Sequence, residues 1–124
     1  MIDNGRVAGI PFKAANSSGG PMAPSVIVLH DTAGRLAKGS SVDWFRSKDC
    51  TTSAHFVVER DGSVTQLVRT DRKAFHAGTS SWQGRAFCNA FSIGIEIVSP
   101  GKLDGNGKAW FGDRRLTATR RRWS

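Results

Sequence analysis

No apolar run in this chain approaches the roughly 20 residues needed to cross a bilayer, so membrane insertion is not expected. The opening residues, Met1 to Arg6, lack a basic segment leading into an apolar stretch of about 7 to 15 residues. No secretory leader is therefore visible, and a cytoplasmic location is expected, with a phage-borne origin equally compatible. Cysteine is scarce: Cys50 and Cys88 stand 38 positions apart and form no C-x-x-C pair. That spacing indicates neither a redox motif nor a zinc knuckle; two buried free thiols are the first reading and a disulfide the second. Histidine is limited to His30, His55 and His76, and no acid follows Asp113.

The 124 residues suit one domain that can bury a modest core. A net charge of +8 invites a nucleic-acid reading, but its placement weakens that reading. Residues 1–113 carry 13 Lys and Arg against 10 Asp and Glu, a balance of +3, while residues 114–124 add five arginines and no acid. The excess belongs to a tail, Arg114 onward, which reads first as a solvated basic terminus and second as a grip for phosphates or an anionic wall polymer. The abrupt change of composition after Asp113 also fits a truncated or frame-shifted reading. Three segments follow: an irregular stretch over 1–25, a domain over 26–113 and the basic tail over 114–124.

Residues 1–25 are rich in Gly, Ser, Pro and Ala and show no sustained period. Val26 to Leu29 is a continuous β-branched run, which predicts a strand covered on both faces and central in a sheet. His30 then falls at the strand's C-terminal end, where ligands usually bind in open α/β sheets. Ser40 or Ser41 is placed to cap a short helix to about Ser47, with Trp44 and Phe45 on its buried side and Asp43 near its positive end. His55 to Glu59 and Val64 to Val68 flank Arg60-Asp61-Gly62-Ser63, which predicts a β-hairpin. Residues 70–91 read as a long functional loop. Phe91 to Val98 reads as a further strand, in which Gly94 signals close approach of other atoms.

A lone histidine is more often hydrogen-bonded structure than a metal ligand. Glu96 is more pointed, because Ile93-Gly94-Ile95 precedes it and Ile97-Val98 follows. An inward carboxylate there would be desolvated and its pKa raised toward the range of a general base. A structural salt bridge is the other reading.

Taken together, Ser53-Ala54-His55, Arg60-Asp61-Gly62, Gln66, Asp71 to Gly78, Gln83-Gly84-Arg85, Cys88-Asn89 and Phe91 to Glu96 resemble the zinc-dependent N-acetylmuramoyl-L-alanine amidases. The likeness covers about residues 26–98 and is greatest to the branch that trims anhydromuramyl peptides. It implies an α/β fold, a single domain with a mixed central β-sheet flanked by helices, and a shallow groove for one Zn2+. It implies that His30 is a zinc ligand and that Glu96 activates the attacking water. His55 and His76 match family positions that do not bind zinc; a structural place or one at the groove wall is the implied role of each, with His76 also a candidate for substrate contact. Arg85 and Asn89 match the loop that borders the substrate. Peptidoglycan fragments or muropeptides are the implied partners, with no specific nucleic acid.

A catalytic zinc takes three protein ligands plus water, and the resemblance supplies one matched ligand here. The family's remaining ligands, a histidine and then an aspartate or cysteine, its oxyanion-stabilising lysine and its last helix have no match after Asp113. Ala54 stands where some relatives carry a tyrosine beside the histidine. The expectation is an amidase with the C-terminal part of the fold missing, poor zinc binding, exposed apolar surface and little activity. The alternatives are a non-catalytic peptidoglycan-binding module, a basic nucleic-acid-binding protein, and a replacement metal site drawing on His55, His76, Cys50, Cys88 or Asp31.

Overall fold

The computed structural model describes residues 1–102, 108–111 and 114–117. In chain order the strands and helices are β1 (Ile2–Asp3), β2 (Arg6–Val7), β3 (Val26–Asp31), α1 (Ser40–Arg46), β4 (Phe56–Val58), β5 (Val64–Gln66), β6 (Ser81–Trp82), β7 (Arg85–Ala86), a 3-10 turn (Cys88–Ala90), β8 (Ser92–Ile97), β9 (Lys108–Phe111) and β10 (Arg114–Thr117). The main sheet has the order β3-β8-β4-β5. β8 pairs in parallel with β3 and with β4, and β4 pairs antiparallel with β5, so the sheet is mixed. Among the described residues no helix is long and apolar enough to cross a membrane.

The β4–β5 hairpin forms where Asp61-Gly62 predicts it. The Asp61 carboxylate accepts the Ser63 backbone N–H at 2.9 Å and the Ser63 hydroxyl at 2.6 Å, and Gly62 adopts φ 87°, a left-handed turn that glycine enters without a Cβ penalty. α1 spans Ser40–Arg46, close to the expected helix, but neither serine caps it. Gly39 occupies the cap position, and its N–H is taken at 3.0 Å by Glu59 Oε1 from the end of β4. Val42 and Phe45 supply the buried side, joining Cys50, Ala54, Val57, Leu67 and Val98 in the core. Trp44 does not: it is 54% exposed, because it points into a groove rather than into the core.

The expectation for Val26 to Leu29 also needs correction. Among the described residues β3 is an edge strand, and its exposure alternates, with Ile27 64% and Leu29 65% exposed. The unbroken apolar run mimics a doubly covered strand, but only its alternate residues face the core. Exposed apolar surface is present, as anticipated.

The segment before β3 is more ordered than its composition suggests. β1 and β2 form a hairpin over Asn4-Gly5. Gln66, fully buried on β5, accepts the Val7 N–H at 2.9 Å and donates to the Gly5 carbonyl at 2.7 Å. Residues 70–91 likewise contain the short β6–β7 hairpin and the 3-10 turn rather than a bare loop. The expected basic tail is in part a strand, since β10 pairs antiparallel with β9; residues 118–124 lie outside the described residues. Cys50 and Cys88 are both free and buried.

Candidate catalytic groove

The parallel register sets His30 of β3 opposite Glu96 of β8, and Glu96 opposite Val57 of β4. Side chains at one register position share a sheet face. His30 and Glu96 therefore stand side by side on the core face, although 66 residues separate them in sequence. This face opens into a groove of about 1060 Å3, whose wall includes Asp31, Trp44, Phe75, His76, Asn89 and Glu96.

Glu96 is half-buried, and its Oε2 is shielded from solvent without a hydrogen-bond partner among the described residues. Burial pushes its carboxyl above the ordinary range; the charge His30 can carry opposes this, and the neighbouring Asp31 adds to it.

His76 lines the same groove and meets His30. Its Nδ1 lies 2.9 Å from His30 Nε2 and its Nε2 lies 3.1 Å from Ser92 Oγ. The ring sits directly over Gly94: a Cβ there would fall 2.4 Å from His76 Cγ and 2.5 Å from Cδ2. Gly94 is the place where β8 makes room for an imidazole. Burial, then the nearby His30 and His55, hold His76 well below the usual histidine range, at about 4.

His55 is fully buried and wholly engaged. Its Nδ1 accepts the Gly94 N–H at 3.0 Å, its Nε2 donates to the Arg72 carbonyl at 2.7 Å, and its backbone N–H bonds the Gly94 carbonyl at 2.9 Å. It clamps β8 to the chain after β5, and burial pushes its pKa down. With both ring nitrogens used, His55 has no lone pair to offer a metal. His76 is equally committed, and among the described residues no three His, Cys, Asp or Glu side chains gather closely enough to hold one. The replacement metal site is thus not assembled among these residues.

Asn89 Oδ1 accepts the backbone N–H groups of His76 and Ala77 at 3.0 and 2.9 Å, and so holds the loop that carries His76. Arg85 lies outside the groove wall. Its guanidinium stacks 3.8 Å above the Phe91 ring and bonds Ser25 Oγ at 3.1 Å. Of the residues expected at the site, His30, His76, Asn89 and Glu96 are brought together and Arg85 is not. Sequence reasoning missed Ser92 and Trp44. A serine opening an apolar strand gave a faint signal for the first; nothing local distinguished Trp44 from a core residue.

Comparison with known proteins gives concordant matches. The family model for N-acetylmuramoyl-L-alanine amidase matches residues 20–123. The 1,6-anhydro-N-acetylmuramyl-L-alanine amidase AmpD of Citrobacter freundii is 58% identical over 45 residues, which make up 36% of this chain and 24% of that protein. The crystal structure of a selenomethionine AmpD derivative superposes with a TM-score of 0.67 at 30% identity, covering 80% of this chain and 66% of that one. AmpDh3 of Pseudomonas aeruginosa, solved in complex with an anhydromuramic pentapeptide, gives a TM-score of 0.55 at 31% identity, covering 75% of this chain and 39% of that one. The chain thus spans less than two-thirds of the length of each of these relatives.

Proposed function

Because the chain belongs to the N-acetylmuramoyl-L-alanine amidase family, we propose that its groove hydrolyses the amide bond between the lactyl group of muramic acid and L-alanine in muropeptides or peptidoglycan. The observation that carries this reading is the pairing of His30 with Glu96 at the groove, where one Glu96 oxygen is buried and has no hydrogen-bond partner among the described residues. A carboxylate so placed is a general base with its acceptor orbital unspent.

In this reading Glu96 takes a proton from the attacking water as the water oxygen bonds the lactyl carbonyl carbon. It then delivers that proton to the alanine nitrogen as the C–N bond breaks, releasing a muramic acid sugar and a free peptide. The raised carboxyl pKa makes Glu96 a better proton acceptor than an exposed glutamate. Asn89 and His76 form the wall along which the peptide lies. Arg85 would reach peptide carboxylates only by leaving its stack on Phe91.

Were zinc bound, His30 would be one of its ligands, and the ion would supply Lewis acidity beside Glu96. The described residues offer one imidazole where three protein ligands are needed, so by themselves they do not fit a zinc site. The steps above are accordingly those of the chain's own groups.

The test is peptide release from an anhydromuramyl peptide, followed chromatographically with and without added zinc, beside Glu96→Gln. Release that falls by about 10²- to 10⁴-fold in the variant supports the reading. Binding without turnover, indifferent to chelator, replaces it with a peptidoglycan-binding module. Zinc retained per chain after desalting, and lost in His30→Ala, tests the metal separately.

A further inference from the structure

The hydrogen bonds around His76 have a direction that the distances alone fix. The Ser92 hydroxyl has one hydrogen, and it points at the Cys88 carbonyl 2.5 Å away, a group that can only accept. Ser92 Oγ must therefore accept from His76, which places a hydrogen on His76 Nε2. A neutral imidazole protonated at Nε2 has a lone pair at Nδ1. That lone pair lies 2.9 Å from His30 Nε2, so His30 is the donor there. His30 Nδ1 is left as the acceptor of that ring, since its one hydrogen sits on Nε2.

We propose that Ser92 and His76 form a one-way relay, Cys88 C=O to Ser92 to His76 to His30, whose output is a single fixed tautomer of His30 with the Nδ1 lone pair presented for binding. His76 is then a positioning residue that acts through His30. The proposal does not rest on the amidase reading; it concerns the resting protein. Three features of the packing support it. Gly94 gives the His76 ring its seat, Asn89 fixes the backbone that carries it, and the His30 and His76 rings meet edge to face with centroids 5.1 Å apart.

The decisive measurement is nitrogen NMR of the 15N-labelled, metal-free protein at pH 7.5. Expected are protonated Nε2 and unprotonated Nδ1 signals for both histidines, with a scalar coupling between His30 Nε2 and His76 Nδ1 across their shared hydrogen. Ser92→Ala should move the His30 ring nitrogens toward the averaged shifts of an exchanging imidazole, as should His76→Ala. His76→Asn keeps an acceptor oxygen near the Nδ1 position and should restore the single tautomer. A folded wild-type protein without the coupling, or with the hydrogen on His30 Nδ1, overturns the proposal. So do His30 shifts unchanged in Ser92→Ala. The wild-type measurement stands even if a variant fails to fold.

Discussion

Adding one methyl group at Gly94 should be among the most disruptive small changes available to this protein. The new Cβ of Gly94→Ala would lie 2.4, 2.5 and 2.7 Å from His76 Cγ, Cδ2 and Nδ1. Ordinary contact needs roughly 3.5 Å, so the ring must shift by about 1 Å. Such overpacking costs about 1 to 3 kcal/mol. The shift also breaks the bonds to His30 and Ser92, at about 0.5 to 1.5 kcal/mol each. Removing a glycine from a strand returns roughly 0.5 to 1 kcal/mol of backbone entropy. The net loss is about 1 to 5 kcal/mol, centred near 3, and at that centre the urea midpoint falls by about 1 to 2 M for a small domain. In a His76→Ala background the methyl has room, and Gly94→Ala should cost less than about 0.5 kcal/mol, giving a coupling energy near 2 kcal/mol or more. Equal costs in the two backgrounds would refute the argument that Gly94 exists to seat the imidazole.

Other expectations rest on different contacts. Asn89→Ala strips the acceptor from two backbone N–H groups and should destabilise by about 1 to 3 kcal/mol, with faster amide exchange at His76 and Ala77; exchange left unchanged would show that the loop is held elsewhere. Gln66→Ala should cost about 2 to 4 kcal/mol, since it leaves the Val7 N–H and the Gly5 carbonyl without partners in a buried place, and native-state exchange at Val7 is the sensitive probe. Stability should fall on acidification from about pH 6.5 toward 4. His55 and His76 have folded pKa values below the unfolded value, so over that window the unfolded chain binds protons that the native one refuses. The loss should shrink in His76→Ala, and a pH-independent midpoint between 7 and 4.5 would contradict the assignment.

What could be read from the sequence was mostly local chemistry. Asp61-Gly62 announces its turn because a carboxylate and a missing Cβ act within three residues of one another. Gly94 announced a close approach, but not what approaches, since His76 arrives from 18 positions earlier in the chain. The neighbouring of His30 and Glu96 follows from a parallel register that no periodic pattern encodes; only the family resemblance links the two residues. Gln66 belongs to the family motif, yet its task of holding Gly5 and Val7 depends on a partner segment 59 residues away. Trp44 and β3 misled for one reason: hydrophobicity marks a residue as fit for burial without saying whether a neighbour arrives to bury it. Ser92, one hydroxyl in an apolar strand, gained its meaning only when the Cys88 carbonyl fixed its direction.

The pinning of the first seven residues by Gln66 bears on how the molecule is born. A ribosome delivers β1 and β2 long before β5 exists, and β3 waits for β8, whose first residue comes 66 positions after its own. The early chain has almost nothing local to rest on, and few of its native contacts reward order before most of the protein has emerged. Folding should therefore be a late, nearly all-or-none event in synthesis. A nascent chain arrested before Ile97 is released should remain sensitive to protease along its whole length, with no protected N-terminal fragment.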